Sequence, residues 1–181
     1  MISMKSKVTK TLLNYFFLHP EEKLFVNEIS RKLNLDKRNL KKKLKELEKE
    51  NLLNSEPRGN QRIYYINRGY PLFNEYKQIA FKTIGIESKL RILLEKVDGL
   101  ENAYLFGSYA KDEMDTHSDI DLLVIGEHKV LVLQRELTKL QREIDREINV
   151  VNMSVKDFRN RKKNKNPFVE TIFKEKHIKV I

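Results

Sequence analysis

The sequence contains no cysteine and no tryptophan, and only 6 glycines and 4 prolines among its 181 residues. Without cysteine the chain can form neither disulfides nor thiolate-ligated zinc or iron–sulfur sites. This absence is typical of a reducing compartment, and we expect a cytoplasmic protein. So few glycines and prolines exclude collagen-like and low-complexity chains and favour packed helices.

No apolar run reaches the roughly 18 residues of a membrane-spanning helix, and we therefore expect no membrane partner. Lysines precede the apolar residues 11–18, as in a signal peptide, but Asn14 lies within that stretch and no small-residue cleavage site follows it. With 40% hydrophobic and 34% charged residues, the chain can bury a core. Its length fits one ordinary domain or two small ones and excludes a single large enzyme.

The excess of positive charge lies in one half of the chain. Residues 1–85 contain 18 basic and 9 acidic residues, a net charge of +9, whereas residues 86–181 contain 18 and 17, a net charge of +1. This asymmetry points to a polyanionic partner for the first half, although a basic surface kept for solubility has the same signature.

Apolar residues recur at helical spacing in three segments of the first half, at 6–18, 25–33 and 36–51. In the third segment Asp36 is a good N-cap, and Asn51 tolerates the left-handed conformation that follows many helices. One face of this helix is apolar and the opposite face is cationic. The apolar face carries Leu40, Leu44 and Leu47, and the cationic face carries Arg38, Lys42, Lys45 and Lys49.

Two strands are predicted next, at 52–56 and 62–67, and the turn-rich residues 57–61 join them into a β-hairpin. A helix, a helix-turn-helix and a basic hairpin follow one another in a winged helix, where the third helix enters the major groove of DNA. The sequence therefore predicts a winged helix-turn-helix over residues 1–70.

Residues 24–67 resemble the winged-helix domains of ArsR- and MarR-type regulators. The family places Gly-Leu-Leu/Ile after the recognition helix and Gly-x-x-Arg-x-Tyr in the wing, which Asn51-Leu52-Leu53 and Gly59-Asn60-Gln61-Arg62-Ile63-Tyr64 match. The resemblance implies transcription regulation through double-stranded DNA; the alternative is a structural or dimerising domain. The candidate DNA-binding residues are Lys37, Arg38, Lys41, Lys42, Lys45, Arg58 and Arg62.

Residues 71–87 are predicted to form a helical linker with a weak joint at Gly85. The same region could hold a homodimer interface, because helical spacing aligns several apolar side chains in one stripe. The stripe consists of Phe73, Tyr76, Ile79 and Ala80. The sequence does not choose between these two roles.

Chemistry in the second half is expected between residues 104 and 149. One predicted strand runs into Gly107-Ser108, and another, over residues 119–125, begins with Asp119 and Asp121. Residues two apart in a strand face the same side, so the two carboxylates project together. Such a pair suits Mg²⁺, while Gly107 lets the backbone approach a phosphate closely at the start of a helix.

Two motifs carry a second resemblance, Phe106-Gly107-Ser108-Tyr109-Ala110-Lys111 and Ser118-Asp119-Ile120-Asp121-Leu122-Leu123-Val124. Together they resemble the nucleotidyltransferase superfamily that includes DNA polymerase β. In particular they are similar to the minimal nucleotidyltransferases, which are often antitoxins paired with HEPN toxins. The resemblance covers residues 88–181 and implies a small mixed-sheet domain.

The resemblance implies roles for particular residues. Gly107 and Ser108 would bind the triphosphate of an NTP, and Asp119 and Asp121 would bind Mg²⁺ and polarise the α-phosphate. A third acid on a later strand normally completes the catalytic site and helps to deprotonate the acceptor. That position holds Asn149, which carries no charge and cannot accept the proton.

Three neighbours of these motifs are expected to contribute less. Glu147 could replace the missing acid only by bridging about 7 Å of strand. Asp112 stands where the family often has glycine and is expected to cap a helix end. His117 is expected to be a loop residue, because Mg²⁺ prefers oxygen ligands.

A cationic segment follows, with Arg159, Arg161, Lys162, Lys163 and Lys165. A solvated loop is the favoured interpretation, and contact with a triphosphate or nucleic acid is the alternative. Beyond it, residues 168–173 are predicted to form a helix and residues 178–181 a terminal strand.

These patterns predict an α+β protein, with a winged helix-turn-helix followed by a small mixed-sheet nucleotidyltransferase domain. Two functions remain open. The first is a DNA-binding regulator whose second domain binds NTP and Mg²⁺ and transfers NMP, such as AMP, to a hydroxyl, for example on a HEPN-type toxin. The alternative is a purely DNA-binding regulator in which that domain is inactive and serves as a nucleotide sensor or partner-binding module.

Overall fold

The structure is a computed structural model that describes residues 6–114 and 118–181. The chain divides into two compact units, Met1–Gly85 and Ile86–Ile181. Each unit combines helices with a small sheet, which agrees with the predicted α+β class. Among the described residues, no helix is both long and apolar enough to cross a membrane.

The described part of the first unit contains four helices and a three-stranded antiparallel sheet. The helices are α1 (Lys7–Leu18), α2 (Val26–Lys32), α3 (Lys37–Lys49) and α4 (Phe73–Thr83). The strands are β1 (Leu24–Phe25), β2 (Leu53–Arg58) and β3 (Gln61–Ile66), with β3 in the middle.

Local residue chemistry determines where α3 begins and ends. Asp36 accepts a hydrogen bond from the backbone N–H of Asn39 at 3.0 Å, which satisfies one free donor of the first turn. Asn51 has φ +59, the left-handed conformation predicted for it. The buried face of the helix consists of Leu40, Leu44 and Leu47, each at most 3% exposed.

The hairpin is longer than the sequence pattern indicated. Pro57 and Arg58, which we assigned to the connector, belong to β2, and Arg58 pairs with Gln61 so that Gly59 and Asn60 alone form the turn. Gly59 has φ +60, and two-residue hairpin turns favour glycine in this conformation. Pro57 is tolerated because β2 is an edge strand of this sheet. The two-residue strand β1 was not predicted.

Helix α4 packs against α1 within the first unit. A Cβ on Gly85 would lie 2.8 Å from Oδ1 of Asn14, so glycine permits this close approach. The amide of Asn14 also donates to the carbonyl of Ile84 at 2.7 Å. Within the predicted apolar stripe, Ala80 is buried by this packing whereas Ile79 is 49% exposed.

The described part of the second unit contains five helices and a four-stranded mixed sheet. The helices are α5 (Ile86–Leu94), α6 (Gly107–Lys111), α7 (Val130–Ile144), α8 (Val155–Lys163) and α9 (Pro167–Lys174). The strands are β4 (Leu100–Phe106), β5 (Ile120–Gly126), β6 (Ile148–Met153) and β7 (Ile178–Lys179). Their order is β6-β5-β4-β7, with β5 parallel to β6 and the other pairs antiparallel.

Alternation along the strands gives this sheet two faces. The core of one face consists of Leu123, Ile125, Met153, Val169 and Ile172, so α9 covers that face. Ile120 and Leu122 point to the opposite face and are fully buried. Each such side chain contributes about 1.5–3 kcal/mol relative to an exposed one. Asp121 lies on the α9 face, because it alternates with Ile120 and Leu122.

The cationic segment forms α8, and the prediction of a solvated loop was wrong for residues 155–163. Ser154 caps the helix by accepting a hydrogen bond from the backbone N–H of Asp157 at 3.0 Å. None of the α8 residues is fully buried. Its two apolar residues, Val155 and Phe158, pack against the core but are too few to indicate a helix in the sequence.

Candidate functional site

Three neighbouring strands bring polar residues together at one end of the second sheet. The register pairs Phe106 of β4 with Asp121 of β5, and Asp121 with Asn149 of β6. Asp119 lies two residues before Asp121 and on the same side. Gly107 follows Phe106 at the start of α6. Sheet register thus joins the two predicted motifs with the strand that carries Asn149.

The closest approach at this site is between Gly107 and Asp121. Gly107 has φ +67, and an added Cβ would lie 2.2 Å from Oδ2 of Asp121. Any side chain would therefore strain the backbone and displace the carboxylate. The turn that begins α6 can lie beside the carboxylate because its first residue is glycine.

Asn149 links the two carboxylates. Its Nδ2 donates to Oδ2 of Asp119 at 3.1 Å, and its side chain also hydrogen-bonds to Asp121. Partial burial raises the pKa of Asp121, the hydrogen bond from Asn149 lowers it, and the negative charge of Asp119 raises it further. The net effect is a pKa above the usual aspartate value, which means that the site destabilises the charged form of Asp121.

The donor set suits a hard cation such as Mg²⁺. Carboxylate and amide oxygens are its preferred ligands, and a cation between Asp119 and Asp121 would relieve the repulsion between them. Asn149 would have to turn its oxygen toward the ion, because it now presents its NH₂ group to Asp119. In the part of the chain that the structure describes, no three Asp, Glu, His or Cys residues cluster to hold a metal. Asp119 and Asp121 therefore fit as the two acidic ligands of such a cation.

The weaker sequence candidates lie around this site. Glu147 precedes β6 with an exposed side chain, and its backbone carbonyl accepts from the N–H of Ile120 at 3.0 Å. Asp112 ends α6 with φ +65, which confirms its place at a helix end and explains a preference for glycine there. His117 lies outside the described residues.

Two buried polar residues support the site and were missed in the sequence. Arg146 is 8% exposed and donates from Nη1 to the carbonyl of Ser118 at 3.0 Å, directly before Asp119. Tyr109 is 5% exposed, and its burial, together with the charge of Glu87, raises the pKa of its hydroxyl well above the usual value. Tyr109 lies within the motif over residues 106–111, where no role was assigned to it, and Arg146 lies outside both motifs. The burial of both residues depends on tertiary packing.

A cavity of about 260 Å³ opens beside Gly107. Helix α9 contributes half of its lining residues. The rings of Phe106 and Phe168 meet there edge to face, with centroids 5.9 Å apart. Phe168 keeps 38% of its surface exposed. The cavity therefore offers an aromatic surface next to the predicted phosphate-binding turn.

The cationic candidates of the first unit lie on α3 and the hairpin. Lys37, Arg38, Lys41, Lys42 and Lys45 are all exposed, and within residues 6–114 and 118–181 none of them forms an ion pair. Arg58 is also exposed, next to the hairpin turn.

Arg62 makes contacts within the first unit. Its Nη2 lies 3.2 Å from Oε1 of Glu48 on α3, and its Nε donates to the hydroxyl of Ser55 at 2.8 Å. Arg62 therefore ties the hairpin to α3.

The family of the second unit follows from comparison with known proteins. Residues 86–180 match the family model described as "Nucleotidyltransferase domain". The match covers more than half of the chain, and the chain belongs to this nucleotidyltransferase family. A search of curated protein sequences found no match.

Solved structures give weaker similarities. A toxin–antitoxin complex with AMP-PNP has 21% identity and a TM-score of 0.40, over 52% of this chain and 72% of that chain. A tri-AMPylated Shewanella oneidensis HEPN toxin in complex with MNT antitoxin has 27% identity and a TM-score of 0.29, over 37% of this chain and 52% of that chain. At these TM-scores, the family match alone carries the assignment.

Proposed function

We propose that the second unit binds an NTP with Mg²⁺ and transfers the nucleotidyl group to a hydroxyl acceptor, and that the first unit binds double-stranded DNA. One observation carries the first part of this proposal. In a domain of the nucleotidyltransferase family, Gly107, Asp119 and Asp121 come together where strands β4 and β5 meet α6.

Each of these residues has a defined task in the proposal. Asp119 and Asp121 hold Mg²⁺, which when bound would neutralise charge on the phosphates. The backbone at Gly107 and the amide and hydroxyl of Ser108 bind the triphosphate at the start of α6.

In the transfer step, the acceptor oxygen bonds to the α-phosphorus while the bond from that phosphorus to the bridging oxygen breaks. Pyrophosphate leaves with the electron pair. The hydroxyl proton passes to water, because Asn149 cannot accept it.

Asn149 favours a slow reaction. A positioned general base typically contributes 10² to 10⁴ in rate, and an amide cannot supply it. The hydrogen bond from Asn149 to Asp119 also supports a second candidate function, a regulator that binds nucleotide without turnover. Nucleotide binding is common to both candidates, and product formation separates them.

The arrangement of the first unit supports DNA binding. Helices α2 and α3 follow one another across a short connection and the β2–β3 hairpin comes next, which is the element order of a winged helix-turn-helix. The exposed cations of α3 lie away from its buried leucines. A structural or dimerising role would not require that the exposed cations of α3 be left without ion pairs. We therefore include a winged-helix DNA-binding module in the proposal.

A calorimetric titration of each NTP, with and without Mg²⁺, tests the nucleotide site. Asp119→Asn with Asp121→Asn should abolish the effect of Mg²⁺ on NTP affinity, because the paired negative charge holds the cation. The exposed pair Asp98→Asn with Glu101→Gln removes the same charge and should leave the affinity unchanged. Unchanged Mg²⁺-dependent binding in the first variant would remove the metal-site assignment.

A further inference from the structure

Strand β6 is an unprotected edge of the second sheet. In residues 6–114 and 118–181 the edge strands are β1 and β2 of the first sheet and β6 and β7 of the second. Strands β1 and β7 have only two residues each, and β2 carries Glu56, Pro57 and Arg58. Short length, charge and proline all hinder an edge from pairing with another chain. Strand β6 lacks these features, because its six residues, Ile148–Met153, include neither a charge nor a proline.

The backbone of β6 directs hydrogen-bonding groups away from the sheet. The N–H of Ile148 donates to Oε1 of Gln141 on α7 at 3.3 Å, so it points away from β5. Every second residue of a strand directs its N–H and C=O to the same side, so those of Val150 and Asn152 also point outward. No strand lies beyond β6 in the described part of the chain. A strand placed beside β6 would therefore pair with these groups.

A groove of about 280 Å³ lies along this edge, between β6 and α7. Of the described residues, ten line the groove and none of them is charged, although charged residues make up 34% of the sequence. The flank of α7 that lines the groove is uncharged, and the opposite flank is charged. The uncharged flank consists of Val130, Gln134, Thr138 and Gln141, and the charged flank consists of Glu136, Lys139 and Glu143. The β6 edge and the groove thus form one continuous uncharged surface.

The chemistry of this surface selects a second copy of the chain as its occupant. A nucleic acid would require cations, and an acidic or basic protein segment would require opposite charges, which neither the edge nor the groove supplies. A two-fold contact places a surface against its own copy, so a charged edge would repel itself and an uncharged edge does not. Residues 86–181 carry a net charge of only +1, from 18 basic and 17 acidic residues. Next to the groove, Leu131 of α7 is 82% exposed and adds an apolar contact.

We propose that two copies of the protein associate through antiparallel pairing of their β6 strands, which joins the two second sheets into one continuous sheet. The two-fold axis passes beside Val150, because this register matches the outward-facing residues of both strands. Val150 then lies opposite the partner subunit's Val150, and Ile148 lies opposite the partner subunit's Asn152. A pair of β-branched side chains is favourable across neighbouring strands. The association requires neither nucleotide nor DNA, so it does not depend on the proposed function.

A single introduced cysteine tests this register, because the natural chain contains none. Val150→Cys would bring two thiols together at a Cα separation of about 5.5 Å, which a disulfide can span. With oxidised glutathione as the acceptor of the two electrons, this variant should form a covalent dimer of twice the 21.6 kDa chain mass. The control, Asn160→Cys, has its thiol at an exposed position of α8 and should cross-link much more slowly. Equal rates of cross-linking would overturn the proposal.

Charges placed on the two-fold axis give a second test, measured by sedimentation velocity of the full chain over a concentration series. Val150→Lys and Val150→Glu each place a charge opposite its own copy, so each should raise the Kd of the dimer about tenfold or more. An equal mixture of the two variants should dimerise again, because opposite charges then face each other. Asn160→Lys adds a charge on α8 and should leave the Kd unchanged. Failure of the mixture to dimerise, while each variant keeps the circular dichroism of the natural protein, would overturn the two-fold register.

The predicted apolar stripe of α4 is a rival surface for self-association. Ile79→Lys tests it, because Ile79 is 49% exposed, and this change should leave the dimer intact. A dimer that is lost in Ile79→Lys and kept in Val150→Lys would overturn the proposal. So would a natural protein that stays monomeric at millimolar concentration. Because Val150→Cys introduces no charge, the cross-linking test still decides the question if the charged variants fail to fold.

Discussion

The two units arrange their charged surfaces in different ways. In the first unit, the cations of α3 come from one continuous helix, where the helical period alone separates them from the buried Leu40 and Leu44. In the second, strand register gathers Gly107, Asp121 and Asn149 from distant parts of the chain. A helix can expose like charges without burying them. At the strand-end site, partial burial raises the pKa of Asp121, and the neighbouring charge of Asp119 raises it further. The first arrangement suits a long polyanion, and the second suits a cation and its phosphate ligand.

The largest effect we expect comes from restoring the missing acid of the second site. Asn149→Asp keeps nearly the same volume and adds a carboxylate that can ligate Mg²⁺ and accept a proton. Because a positioned base typically contributes 10² to 10⁴ in rate, transfer to a suitable hydroxyl should rise by about 10² or more. The measurement is the amount of labelled product with time, at saturating NTP.

Asn160→Asp is the matched control for that experiment, since it adds the same charge at an exposed position of α8. It should leave the rate of transfer unchanged. Fast transfer by the natural protein that Asn149→Asp does not increase would mean that another residue already serves as the base. Glu147→Gln would then identify or eliminate the nearest alternative.

A smaller effect is expected from removing charge on α3. Replacing Arg38, Lys42 and Lys45 by alanine should lower the slope of log affinity for duplex DNA against log salt by about 2.7, since each phosphate contact contributes about 0.9. The apolar face of α3 is untouched, so the fold should remain intact. The matched control replaces Lys7, Lys10 and Lys82 by alanine, which removes the same charge elsewhere in the unit. Equal DNA affinity of the two variants at low salt would contradict the recognition-helix assignment.

Local patterns predicted the parts of the structure that depend on neighbouring residues. The cap at Asp36, the left-handed residue Asn51 and the helical stripe of α3 all follow from short-range chemistry. In the second unit, the spacing of Gly107 and the two aspartates indicated the nucleotidyltransferase family that the chain matches. These features were predictable because each is encoded within one turn of helix or a few residues of strand.

Features that depend on packing between distant segments were not predicted. Strand β1 has two residues and is too short to carry a pattern, and α8 has only two apolar residues, Val155 and Phe158. Burial of Arg146 depends on contact with Ser118, 28 residues away. The hydrogen bond from Asn149 to Asp119 depends on the parallel register of β5 and β6. The sequence predicted roles for Asp119, Asp121 and Asn149, but not the hydrogen bond from Asn149 to Asp119.

The smallest effect that we expect is on the free energy of unfolding, which is lowered by the burial of the Asp121 charge and by its repulsion from Asp119. Because the folded-state pKa of Asp121 is raised above its ordinary value of 3.8, the folded protein binds this proton more tightly than the unfolded chain does. The protonated carboxyl stabilises the folded protein at low pH. This contribution is lost as pH rises from the ordinary pKa through the raised pKa of the folded state, and it is absent at neutral pH. Asp121→Asn removes this cost and keeps the shape of the side chain beside Gly107.

We accordingly expect Asp121→Asn to raise the Tm by a few degrees at most at pH 7, measured without Mg²⁺ or nucleotide. The difference should shrink as pH falls through the raised pKa of Asp121, because the natural carboxyl then takes up its proton. The effect is small because Asp121 is only half-buried, so water still screens part of the repulsion from Asp119. Asp98→Asn at an exposed position should leave the Tm unchanged. A lower Tm for Asp121→Asn at pH 7 would show that the hydrogen bond to Asn149 stabilises the charged carboxylate more than burial and repulsion oppose it.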